Sequence, residues 1–165
     1  MIRRWLPDAR AVRASPALRW LGPLADRPWL WQFTRRSVAL GLAAGMFFGL
    51  LLPFAQSLFS GAVAVLLRAN LPAAVLATFV SNPLTTPGIV VAGYYVGTLA
   101  LGLPFSPPGD EAGLSWSERI AGMGPPLLAG LLLVASLAAL LTYVVALVAW
   151  RVPARLRLAR RQPRT

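Results

Sequence analysis

The chain has 165 residues, 57% of them apolar and 13% charged, with a mean hydropathy of +0.64. A soluble domain of this size carries charge on roughly a quarter of its residues, so the composition argues against an ordinary soluble protein and predicts a polytopic membrane protein. The net charge of +11 comes from 16 arginines with no lysine, eight of them in residues 1–36 and six in 151–165.

There is no cysteine and no histidine, which excludes disulfides, the usual zinc and iron sites, and Ser-His or Cys-His nucleophiles. Residues 1–36 lack the compact apolar h-region of a cleavable signal peptide. They interleave arginine with tryptophan, as in Arg3-Arg4-Trp5, Arg19-Trp20 and Trp29-x-Trp31, and Pro7, Pro16, Pro23 and Pro28 cut them into short pieces. One or two short interfacial helices are expected here. Basic segments with aromatics can also bind nucleic acid, but beside a membrane run the reading is lipid. The expected partners are the bilayer and its anionic phospholipids, with no nucleic acid.

Charge-free runs cover 37–67, 69–109 and 120–150, lengths of 31, 41 and 31 residues, against about 20 needed for a span. The run 37–67 as one helix would be about 46 Å long, too long for a hydrocarbon core of about 30 Å. Pro53 sits near its middle with Gln56 behind it, and a re-entrant helical hairpin turning at Pro53 suits the lengths. Gly41, Gly45 and Gly49 give the first arm a smooth face for another helix.

Arg68 and Asn70 interrupt the apolar stretch, and Pro72 is placed to start the next helix. Residues 71–80 are short and apolar. The polar knot Ser81-Asn82-Pro83-Leu84-Thr85-Thr86-Pro87 follows, and 88–103 resume with Gly93 and Gly97 as a second small-residue pair. The segment 71–103 is therefore expected to be one span broken at Pro83 and Pro87. It shares its plan with 37–67, although the two do not align residue by residue. Paired interrupted segments point to a binding site in transporters.

Residues 104–119 form a polar, acidic loop. The stretch 127–149 is an uninterrupted apolar helix within a final span, 120–150, and Trp150 and Arg151 close it ahead of a basic tail, 151–165. The basic termini should be cytoplasmic and the acidic loop outside. Parity then requires 37–103 to cross an odd number of times. A hairpin at 37–67 with a broken span at 71–103 satisfies this and leaves Arg68 cytoplasmic. A full span followed by a re-entrant segment also satisfies it and puts Arg68 outside.

Several elements form a familiar set: Trp31-Gln32-Phe33; Arg36-Ser37-Val38-Ala39 leading into Gly41-x3-Gly45-x3-Gly49; Pro53-x-x-Gln56; Arg68-x-Asn70-Leu71-Pro72; Ser81-Asn82-Pro83-Leu84-Thr85; Tyr95-x-Gly97; and Pro125-Pro126-Leu127. Over roughly residues 28–150 they resemble the bacterial membrane-protein family called domain of unknown function 2062. That resemblance implies a small bacterial inner-membrane protein and no particular activity. The paired breaks are also similar in plan to re-entrant-loop families that handle lipids or small solutes, a likeness of architecture from which function does not follow.

No catalytic residue is expected, because all five acidic residues fall in surface segments, and no metal or cofactor is expected. Proton-coupled pumps place acids or histidine inside the membrane, and this chain has none there. A bound solute would have to use Ser81, Asn82, Thr85 and Thr86, with Gln56, Arg68 and Asn70 contributing, together with freed carbonyls and a half-helix N-terminus. Beside this stands a structural reading: Asn82 caps a half-helix, Thr85 bonds back to a freed carbonyl, Gln56 caps the turn, and the breaks are kinks. Two functions follow. One is transport or lipid handling at the paired breaks. The other is a non-transporting scaffold or accessory subunit whose basic ends recruit envelope enzymes or anionic lipid. In either case the glycine faces predict a homo-oligomer, a dimer in the simplest case.

Overall fold

Prolines and small polar residues decide where the helices of this chain begin. A computed structural model describes residues 27–52, 54–104, 115, 117–118 and 123–151. The interfacial segment before residue 27, Pro53, most of the 104–119 loop and the tail 152–165 lie outside the described residues. Among the described residues every regular element is helical and there is no strand.

A 3-10 turn, Pro28–Trp31, leads into α1, Arg35–Leu51. Thr34 caps α1, its Oγ1 accepting the Ser37 N–H at 3.2 Å. The helix stops at Leu52, which is extended (φ −115°, ψ 121°), as a residue preceding proline prefers to be. The second helix, α2, is Gln56–Leu66, and it begins after Ala55, held in the left-handed region at φ 57°. The third, α3, is Leu71–Ala77; Asn70 caps it, Pro72 occupies its first turn, and it tightens into a 3-10 turn at Thr78–Val80. Proline costs little in a first turn, where its missing N–H would have had no partner.

The fourth helix, α4, is Thr86–Ala100 with Pro87 in its first turn. This corrects the expectation that Pro87 breaks the chain: the break is 81–85, and Pro87 opens the helix beyond it. The last helix, α5, is Gly124–Ala149, 26 residues long.

Two helices end in the same six-residue motif. At the end of α4, Leu103 N–H bonds Thr98 O at 2.9 Å and Gly102 N–H bonds Leu99 O at 3.2 Å, with Gly102 left-handed at φ 67°. At the end of α2, Ala69 N–H bonds Ala64 O at 2.8 Å and Arg68 N–H bonds Val65 O at 3.2 Å. There the left-handed position, φ 52°, is taken by Arg68, which pays a steric cost that glycine avoids.

The helices are arranged on α1, against which α2, α3 and α5 all pack, while α4 packs on α5. Cross-links give the directions. Ser57 at the start of α2 bonds Thr78, which lies beside Gly49 near the end of α1. Ser60 bonds Ala74 O, level with Gly45, and Asn70 N–H bonds Ser37 O at 2.9 Å. So α1 and α2 run antiparallel, and α3 runs parallel to α1.

Close backbone approach holds the packing together. A methyl on Gly41 or Gly45 would run into the backbone of Asn70 or Ala74, and one on Gly49 would lie 3.1 Å from Thr78 Cα. Between α4 and α5, a methyl on Gly93 would lie 2.6 Å from Leu131 Cδ2, while Gly97 and Gly130 sit against the opposing backbone. Both glycine faces expected to join two copies are thus occupied inside one chain. Many buried residues are correspondingly small, Ala39, Ala64, Ala69, Ala74 and Ala135 among them, beside larger ones such as Leu30, Leu71, Leu127 and Leu131. Large side chains face outward, including Leu132, Leu137, Leu141 and Val145 of α5. This helix is the one among the described residues long and apolar enough to cross a membrane, and only 11% of its most apolar stretch is buried.

Candidate functional site

The two breaks meet. Ser81 Oγ donates to Gln56 Oε1 at 2.6 Å. Thr78 Oγ1 donates to Val75 O at 2.6 Å, leaving Ser57 Oγ to donate to Thr78 Oγ1 at 3.1 Å. The sequence pairs these segments by plan, and the structure joins them through side chains that flank each break.

Within the second break, Asn82 and Thr85 form a reciprocal cap. Asn82 Oδ1 accepts the Leu84 and Thr85 N–H groups at 2.9 and 3.1 Å, and Thr85 Oγ1 accepts the Asn82 N–H at 3.0 Å. It is a capping box with threonine in place of the usual glutamate. Thr85 Oγ1 also donates to Val80 O at 2.9 Å, and Thr86 Oγ1 donates to Asn82 O at 2.7 Å. The oxygens that would have coordinated a cation, Asn82 Oδ1, Asn82 O, Val80 O and Gln56 Oε1, each already accept a bond inside the chain. Around this sealed corner Phe54, Phe79 and Leu84 are exposed by 83, 66 and 89%.

Arg68 and Asn70 are elsewhere. They lie at the other end of α1, a distance of about 25 Å for its 17 residues. Asn70 is fully buried. Its Oδ1 accepts the Ala73 N–H at 2.8 Å and its Nδ2 donates to Gln32 O at 3.0 Å. It is a helix cap that also ties α3 to the segment before α1, and it is buried.

Arg68, by contrast, is exposed and forms part of the wall of a cavity of about 370 Å³. Arg36, Ser37, Thr34 and Gln32 supply the other polar walls; Trp29, Leu40 and Leu67 supply apolar ones. Ser37 is 7% exposed, and its hydroxyl is buried without a hydrogen-bond partner. Glu118 is the one acidic side chain among the described residues, and it does not line this cavity.

Glu118 belongs to the far end of the 104–119 loop. Its carboxylate accepts the Ser115 hydroxyl at 2.6 Å and the Ser115 N–H at 2.7 Å, and those bonds, the hydroxyl's first, hold its pKa below the ordinary carboxylate value. Residues 117–118 are already helical, so Ser-x-x-Glu is a helix start within a segment read as loop.

Sequence reasoning named Arg68 but missed the cavity, because its walls come from residues 29–40 and 67–68. A signal was present: Trp31-Gln32, Arg36-Ser37 and Arg68-x-Asn70 were all among the elements that carried the family resemblance, and they converge here. Among the described residues no group of three His, Cys, Asp or Glu side chains could hold a metal ion.

Among the described residues the protein is all-helical with one helix of membrane-spanning length and composition, and α1 runs between a corner of internally bonded polar groups and a basic cavity. Its sequence matches, over residues 18–159, the family described as an uncharacterized protein conserved in bacteria, domain of unknown function 2062, and the chain belongs to that family. No curated protein and no solved structure matches it.

Proposed function

We propose that this chain is a multi-pass protein of the bacterial inner membrane that handles lipid, without catalysis and without passing a solute through its breaks. In this reading both termini are cytoplasmic, the arginine-rich ends lie on anionic phospholipid, and α1–α2 enters the bilayer as a re-entrant hairpin. The alternative that a solute is bound at Ser81–Thr86 is less favoured, because the oxygens there each already accept a bond within the chain and a solute would have to share them.

The observation that carries the proposal is the division of polarity along α1. One end has arginines, tryptophans and a polar cavity, which suit a headgroup layer. The other has a turn whose backbone N–H groups at 81, 82, 84, 85 and 86 are bonded within the chain while Phe54, Phe79 and Leu84 face outward, which suits hydrocarbon, where backbone groups must be satisfied internally. The outward-facing leucines and valines of α5 agree with it.

The natural chain has no cysteine, so single cysteines report position cleanly. Fluorophores at positions 54 and 84 should be quenched best by lipids brominated deep in the acyl chain, and one at 36 by a headgroup-level quencher. Cysteines at 81, 82 and 85 should resist a membrane-impermeant thiol reagent even in permeabilised cells. Ready labelling there would restore the pathway reading and defeat this one.

A further inference from the structure

We propose that the cavity between the first turn of α1 and the α2–α3 corner is a phosphate-binding site, serving a phosphate group carried by a lipid or free in solution. It stands independently of the hairpin's depth in the membrane, because it rests on the cavity's own chemistry.

Three observations meet there. Two guanidinium-bearing residues, Arg36 and Arg68, wall the cavity with no described carboxylate beside them, and a guanidinium offers paired donors that match phosphate oxygens. The N-terminus of a 17-residue helix opens onto it. Thr34 takes the Ser37 N–H through its side chain and the Val38 N–H through its carbonyl, which leaves the Arg36 N–H, on a residue of the cavity wall, as a first-turn donor without an intrahelical partner. Finally, Ser37 is a wall residue whose hydroxyl is buried and unpartnered. A buried polar group without a partner is costly, and a turn of the Ser37 side chain towards an oxyanion in the cavity would supply the missing acceptor.

The backbone adds a separate argument. Arg68 occupies the left-handed position that glycine fills in the same motif at the end of α4. Non-glycine residues held there cluster at functional sites, where the side chain has a use that offsets the strain. The volume, about 370 Å³, lies within the usual range for small-molecule sites. Trp29, Leu40 and Leu67 would lie against the carbon skeleton of an ester.

The test uses the full chain in two arms. In neutral detergent it is titrated with inorganic phosphate by calorimetry. In phosphatidylcholine nanodiscs, with and without phosphatidic acid, lipid retained by the protein is counted by mass spectrometry. Saturable binding in the first arm identifies free phosphate as sufficient; binding in the second alone identifies the lipid headgroup. Either result supports the site when Arg68→Gly weakens it by at least about tenfold, the scale of a charged hydrogen bond. Glycine suits the backbone at 68, so that variant keeps the fold, which circular dichroism checks. Ser37→Ala should weaken binding several-fold, and Arg151→Gln, which removes equal charge outside the cavity, should leave the binding of inorganic phosphate in detergent unchanged. The proposal is overturned by no binding in either arm, by binding that survives Arg68→Gly, or by an equal loss in Arg151→Gln, which would mean a diffuse basic surface.

Discussion

Asn70 shows how much one residue can hold in this chain. Its backbone N–H reaches Ser37 O, its carbonyl takes the Ala74 N–H at 3.0 Å, its Oδ1 caps α3, and its Nδ2 bonds Gln32 O. The two side-chain bonds are lost in Asn70→Ala. The lost cap costs about 1 kcal/mol, and leaving Gln32 O unsatisfied adds about 1–3 kcal/mol. Unfolding in detergent should register the sum as lower stability, and Asn70→Asp should recover only the cap. From sequence alone Asn70 counted as a candidate ligand, since a polar residue in an apolar run reads that way. The pattern Asn-Leu-Pro carried the other meaning: a cap followed by a first-turn proline. Arg68 was harder to place, because no pattern announces an arginine in a left-handed position.

The glycines matter at the scale of the helix pair, and they are not equivalent. Gly97 and Gly130 lie against opposing backbone, whereas a methyl on Gly88 meets nothing within 4 Å. Gly97→Ala should force α4 and α5 apart at a cost of about 1–3 kcal/mol. Gly88→Ala, in the same helix, should be neutral or stabilise by about 0.5–1 kcal/mol. Thermal unfolding of the two variants side by side decides it; equal effects would mean that helix propensity outweighs packing. Spacing made both glycine faces legible in the sequence as contact surfaces. It could not say which helix each would meet, and two copies of one face were as good a match as two helices of one chain.

On the scale of the whole molecule, the breaks lie at one end of α1 and the cavity at the other. Ser57 and Thr78, whose side-chain oxygens are 3.1 Å apart, fasten the hairpin to the arm that follows. A Ser57→Cys, Thr78→Cys pair should therefore oxidise to an intramolecular disulfide, since short side chains this close match disulfide geometry. A mobility shift on a gel that reductant reverses would show it, and no cross-link would mean that the arms separate. The helical class and the apolar segments were readable because composition and the period of polar interruptions record them directly. The pairing of Gln56 with Ser81, and of Arg36 with Arg68, was not, since each joins residues more than 20 positions apart that share no local signal. The close helix contacts made through small side chains, with many large ones outside, also bear on inheritance. A lineage of such chains can exchange leucine, valine and phenylalanine over its outer face with little penalty. The alanines and glycines within have almost nowhere to go, so its memory of the fold is written in its smallest residues.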